Sequence, residues 1–244
     1  MFDFEKGEIL LIDKPYTWTS FDAVNYIKQN LYRLFKKNIK MGHGGTLDPL
    51  ATGLLIVLTG NKTKMANKIQ SLPKTYEGTF ILGAFTPSFD KETINEIEEG
   101  YPIDHITPEL IYEKAKEMIG NQMQMPPQYS AIKVNGKKAY EYVRSGKTIH
   151  LTPRPITIYE FEILRIELPE VDFRVVCSKG TYVRSLARDF GDALNTSAYL
   201  GSLCRTHIGK YKLEDAMHPK EFIMLVEKLI ENNVLKPWKI VFNF

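Results

Sequence analysis

The chain has 244 residues, enough for one large domain or two modest ones around a sizeable core. Its 43% hydrophobic and 25% charged content excludes a disordered or fibrous polymer. Two cysteines, Cys177 and Cys204, exclude a disulfide framework and point to a reducing compartment, and the net charge of +3 is only mildly basic.

In chain order, Glu8 to Asp13 reads as a short strand ended by the turn Lys14-Pro15-Tyr16. Ser20 is the expected N-cap of a helix reaching about Lys36, with Asp22 in its first turn, where the helix dipole favours negative charge. Leu54 to Thr59 reads as a buried strand and Thr63 to Gln70 as a helix. Thr75 to Thr86 has strand period, with Tyr76, Gly78, Phe80 and Leu82 on one side. Thr107-Pro108-Glu109 starts a helix that Gly120 stops, and Asn135-Gly136 marks a hairpin. Ile156 to Leu168 and Val171 to Cys177 are strands either side of Pro169-Glu170. A helix over Tyr182 to Leu194, strand over Ser197 to Tyr211 and an amphipathic helix over Pro219 to Asn232 follow. Strands and helices intersperse without steady βαβ alternation, which predicts an α+β fold on a mainly antiparallel or mixed sheet flanked by helices.

Charge is patterned along the chain. Lys28 to Lys74 holds nine Lys/Arg against Asp48 alone, Asp90 to Glu117 holds nine acids against three lysines, and Met125 to Arg154 holds six basic residues against Glu141. A positive face opposite an acidic one is expected, and a positive face suits phosphates. The N-terminus lacks a signal peptide's basic start and apolar run, and Leu54 to Leu58 is too short to span a bilayer, so a cytoplasmic protein is expected.

The segment from Met41 to Gly53 sets Asp48 in a glycine-rich turn inside the basic field. Gly42, Gly44 and Gly45 permit positive φ and close approach of a ligand, and Pro49 stiffens the chain after the carboxylate. No Gly-Lys-Ser/Thr follows, so this is not a P-loop. Cys204 and His207 form only half of a zinc site; His105, His150 and His218 supply no second pair, and no metal is expected.

His43-Gly44-Gly45-Thr46-Leu47-Asp48-Pro49-Leu50-Ala51-Thr52-Gly53 resembles the signature of the TruB family of tRNA pseudouridine synthases. Further blocks resemble the family in order: Leu11-Ile12-Asp13-Lys14-Pro15 with Thr19-Ser20, Lys74-Thr75-Tyr76 with Leu82-Gly83, Pro126 to Gly136, Cys177 to Leu186, and Leu203-Cys204-Arg205-Thr206. The resemblance covers roughly residues 7 to 211. It implies the pseudouridine synthase fold and conversion, without cofactor, of uridine 55 in the tRNA T loop to pseudouridine. The base is flipped out, detached from C1′, rotated and rejoined through carbon.

By that resemblance Asp48 is the catalytic aspartate, Arg184 its guanidinium partner, and Tyr76 the ring that stacks on the base and serves proton transfer. His43, Tyr182 and Leu203 match substrate-binding positions, while Lys14 and Lys64 support the fold or contact phosphate. The expected partner is the T-arm of tRNA, with no membrane and no guide RNA, and a monomer is expected. The alternative is a non-catalytic tRNA-folding chaperone.

Residues 1–211 are expected to form the catalytic domain, and 212–244 a short helical extension, with Trp238 packing back, rather than a full accessory RNA-binding domain. Ala84-Phe85 and Pro87-Ser88-Phe89 are more apolar than the family's usual stretch after Gly83.

Overall fold

The computed structural model describes residues 2–130, 132–134, 136–146 and 149–235. The chain divides into two units, the first made of residues up to 72 with those from 204 onward, the second of residues 73–203.

The first unit opens with β1 (Ile9–Lys14), α1 (Ser20–Phe35), β2 (Met41–His43), β3 (Thr52–Thr59) and α2 (Ala66–Gln70). β3 is antiparallel to both β1 (Ile12 opposite Leu55) and β2 (His43 opposite Val57). The N-cap of α1 is Thr19, not Ser20. Its hydroxyl accepts from the Asp22 N–H at 3.0 Å and the Asp22 carboxylate accepts from the Thr19 N–H at 2.9 Å. Such a reciprocal box needs an acceptor three residues on, which Thr19 has in Asp22. The helix expected over Thr63 to Gln70 is split: a 3-10 turn over Gly60–Met65 precedes α2, and the Thr63 hydroxyl donates to the Gly60 carbonyl at 2.8 Å.

The second unit comprises β4 (Lys74–Leu82), β5 (Ala84–Phe85), β6 (Glu98–Glu99), α3 (Pro108–Glu117), β7 (Gly120–Gln124), β8 (Lys133–Val134), β9 (Lys137–Lys138), α4 (Ala139–Arg144), β10 (Arg154–Glu167), β11 (Glu170–Cys177), α5 (Val183–Ala193) and most of β12 (Ala198–Ile208). β4, β11, β10 and β7 pair in that order, all antiparallel. Phe80 and Phe173 stack at 4.0 Å on neighbouring strands, and Phe161 and Phe190 close round Phe80 at 6.2 and 5.5 Å, which ties α5 to the sheet. β8 and β9 form the expected hairpin; Asn135 lies outside the described residues, and Gly136 takes φ 83°.

The end of β12 returns the chain to the first unit, where Cys204 pairs in parallel with Thr52 of β3. β13 (Tyr211–Lys212) and α6 (Pro219–Glu231) follow. Phe222, Ile223 and Val226 of α6 share one buried cluster with Phe4, Leu10 and Leu31. The architecture is therefore α+β with a mixed sheet. Trp238 lies outside the described residues, and among the described residues no helix is long and apolar enough to cross a membrane.

Candidate active site

In the first unit Asp48 stands half-buried on the loop between β2 and β3. The loop leaves β2 through Gly44, whose N–H donates to the Ile56 carbonyl at 2.8 Å. A Cβ there would lie 2.4 Å from Ile69 Cγ2, so the requirement is close packing, whereas Gly45 takes φ 134°. Gly42, where a Cβ would meet nothing within 4 Å and φ is not positive, meets neither demand.

Each neighbour of Asp48 is held by a buried group. The Leu47 N–H donates to Ser20 Oγ at 2.8 Å, and that hydroxyl in turn donates to the Leu47 carbonyl at 3.2 Å. The Asp48 carbonyl accepts from the Ala51 N–H at 3.1 Å, closing a turn with Pro49 at its second position. Lys14 Nζ donates to the carbonyls of Pro15 (3.0 Å), Trp18 (2.5 Å) and Pro49 (3.3 Å).

Arg205, 1% exposed, donates to the carbonyls of Leu54 (2.8 Å), Thr46 (3.2 Å) and Gly45 (3.1 Å). Two buried cations thus fasten the loop before and after the carboxylate. Burial pushes the Lys14 ammonium down to about 8; the Asp48 carboxylate pulls it up and the Arg205 guanidinium pushes it down. Lys14 and Asp48 are therefore electrostatically coupled.

His43 ends β2; burial pushes its imidazole below the usual range, and a hydrogen bond with the Gly45 backbone pulls it part of the way back. Lys64 is exposed on the 3-10 turn, where an ammonium stays hydrated.

The second unit carries Tyr76, Tyr182, Arg184 and Leu203. Tyr76, 9% exposed, lies on β4 opposite Val175 of β11, and Leu203 is half-buried on β12. Tyr182 is the N-cap of α5 but contributes no side-chain cap. Gln124 fixes the Tyr182 backbone instead: its Oε1 accepts from the Tyr182 N–H at 2.8 Å and its Nε2 donates to the Tyr182 carbonyl at 3.1 Å.

Two residues on, Arg184 is 4% exposed and donates to the carbonyls of Ser88 (3.2 Å) and Tyr129 (3.0 Å). It also forms a buried ion pair with Asp90, Nε to Oδ2 at 3.6 Å. The Ser88 hydroxyl and the Glu92 N–H donate to Asp90 Oδ1 at 2.6 and 2.8 Å, so the carboxylate is fixed from a second side. A guanidinium buried this completely needs such partners, because an uncompensated charge there would be costly.

Sequence reasoning did not single out Arg205, Asp90, Gln124 or the clamping role of Ser20. Ser20 and Arg205 lay inside family-like blocks; Asp90 and Gln124 did not.

The sequence pattern described as "TruB family pseudouridylate synthase (N terminal domain)" matches residues 32–183. The chain belongs to the TruB family. Among the relatives it is similar to, the tRNA pseudouridine synthase B of Flavobacterium johnsoniae is 51% identical over 217 residues, which is 88% of this chain and 94% of that protein. That of Parabacteroides distasonis is 49% identical over 235 residues, 96% of this chain and 97% of the other.

Solved structures agree with this TruB-family fold. A chain of the Cbf5-Nop10-Gar1 complex superposes with TM-score 0.71 at 27% identity, covering 96% of this chain but 58% of the other. A chain of an H/ACA RNP bound to a substrate RNA containing 2′-deoxyuridine superposes with TM-score 0.69 at 25% identity, covering 96% and 57%. This chain therefore spans less than two thirds of the length of those solved chains.

Proposed function

We propose that this chain is a stand-alone tRNA pseudouridine synthase that isomerises uridine 55 of the T loop, with Asp48 as its catalytic carboxylate. The supporting observation is the immobilisation of Asp48. Ser20, Lys14 and Arg205 hold Leu47, Pro49, Thr46 and Gly45 around it, as a reaction that must position one carboxylate against a nucleoside requires.

In this reading the uridine is extruded from the folded T loop, at about a few kcal/mol. Stacking on Tyr76 returns about 1–3 kcal/mol of that. By the family resemblance Arg184 serves as the guanidinium partner of the Asp48 carboxylate. His43, Tyr182 and Leu203 contact the substrate, and Lys14 and Lys64 support the loop and meet phosphate. The base leaves C1′, turns and rejoins through carbon, with atoms conserved and no cofactor consumed. The chemistry resides within residues 1–211. The protein acts in the cytoplasm as a monomer.

The test is to map pseudouridine at nucleotide resolution in a naked tRNA transcript incubated with the purified protein alone. Pseudouridine at position 55, lost in Asp48→Asn while tRNA affinity stays within about threefold, is the expected result. Normal turnover by Asp48→Asn removes the assigned carboxylate. Activity that demands an added guide RNA or protein removes the stand-alone assignment. An Asp48→Asn form that fully replaces the wild type in cells would favour the folding-factor reading.

A further inference from the structure

Phe89 has φ 61°, a left-handed backbone that a bulky L-residue adopts only where its surroundings over-determine it. Its two chain neighbours explain the demand. The carbonyl of Ser88 and the side chain of Asp90 both engage Arg184, at 3.2 and 3.6 Å. In an extended segment the Ser88 carbonyl would point in the plane of the strand and the Asp90 side chain roughly perpendicular to it. The left-handed turn at 89 brings both onto one guanidinium.

Three contacts hold Phe89 there. Its N–H donates to the Thr86 carbonyl at 2.9 Å, and its carbonyl accepts from the Leu200 N–H at 2.9 Å. The third is Arg188, whose guanidinium carbon lies 5.1 Å from the Phe89 ring centroid. Arg188 sits one helical turn after Arg184 on α5, and Asp189 (Oδ1, 2.9 Å from Arg188 Nε) and the Met125 carbonyl (3.4 Å) fix its head group. One helix face therefore carries both the arginine being positioned and the arginine that braces the loop positioning it.

We infer that Phe89 and Arg188 form a positioning clamp which, through Ser88 and Asp90, sets the guanidinium of Arg184. Both are positioning residues in this inference, acting through Arg184. The inference rests on the catalytic reading above for its consequence, but the clamp itself is a property of the second unit alone.

Four variants test it: Phe89→Tyr keeps the ring, Phe89→Leu removes it, Phe89→Gly removes it while relaxing the backbone, and Arg188→Gln removes the brace without touching the loop. The expected result is an isomerisation rate at saturating tRNA reduced about tenfold or more in Leu, Gly and Gln, with KM changed less than about threefold, and near wild-type behaviour for Tyr. The pair Phe89→Leu/Arg188→Gln is expected to lose about as much as either alone, because both remove one contact.

The Arg184 Nε–H resonance, assigned by its loss in Arg184→Lys, reads the clamp without substrate. It is expected to broaden or shift in Leu, Gly and Gln but not in Tyr. Unchanged turnover in both Leu and Gln, a rise in KM at unchanged kcat, or an unmoved Arg184 resonance overturns the clamp. Should Phe89→Leu fail to fold, Arg188→Gln decides alone. A wild type that makes no pseudouridine, with the resonance still responding, overturns the catalytic reading and leaves the clamp standing.

Discussion

Lys14 is 0% exposed, and its pKa falls from 10.5 to about 8, chiefly through burial. Below pH 8 it is protonated in both the folded and the unfolded chain, so the fold bears the full desolvation cost. Between about 8 and 10.5 the folded chain gives up the proton first, the unfolded chain binds more protons, and this residue's contribution to stability rises with pH. Urea unfolding at pH 7.5 and pH 10 should therefore show the wild type gaining on Lys14→Met as pH rises; a constant difference contradicts the assignment.

Arg205→Gln leaves at least two of its three carbonyl partners, one buried and two part-buried, without this donor, with an expected loss of about 2 kcal/mol in denaturant unfolding and of activity with it. Asp48 was legible in the sequence because a glycine-rich turn round a single acid is a local pattern. The role of Arg205 was not, because its carbonyl partners lie 151 to 160 residues away.

At the scale of elements, the start of α1 caps the helix with one residue and anchors the Asp48 loop with the next. Thr19 carries the capping box, while Ser20, 2% exposed, is turned inward to Leu47. Thr19→Ala should cost about 1 kcal/mol of stability and leave turnover per folded molecule unchanged. Ser20→Ala should lower turnover as well, since Leu47 loses its anchor beside Asp48; equal turnover in the two variants, measured by single-turnover rates, would refute this division.

Sequence pattern predicted most long elements within a few residues, because β1, β3, β10 and β11 are rich in β-branched residues and α6 has a clean apolar face. It offered no sign of β7, whose sequence Gly-Asn-Gln-Met-Gln has little strand propensity and whose place comes from pairing with β10. The left-handed Phe89 was equally hidden, since glycine or asparagine is what usually announces that conformation.

At the scale of the whole molecule, the first unit is built from both ends of the chain, and no shift in composition marks its borders at Leu72 and Cys204. Its core draws on residues from Phe4 to Leu235. The Phe222 ring meets Phe2 at 5.8 Å and Phe4 at 6.2 Å, so α6 and the N-terminal turn bury one another. That makes the last helix a component of the unit that carries Asp48.

A chain ended at Tyr211 loses Phe222, Ile223, Val226 and Leu235, each contributing about 2 kcal/mol of burial. Against a net stability of about 5–15 kcal/mol, that loss should abolish cooperative unfolding of the first unit and bring dye-binding apolar surface. Phe222→Ala is the milder test. It should cost about 3–5 kcal/mol, lowering Tm, yet leave turnover at low temperature within about twofold, because the ring touches the core and not the loop round Asp48. A shortened chain that unfolds cooperatively with full activity would show α6 to be an ornament on the catalytic unit, and the shared burial of Phe2, Phe4 and Phe222 argues that it is not.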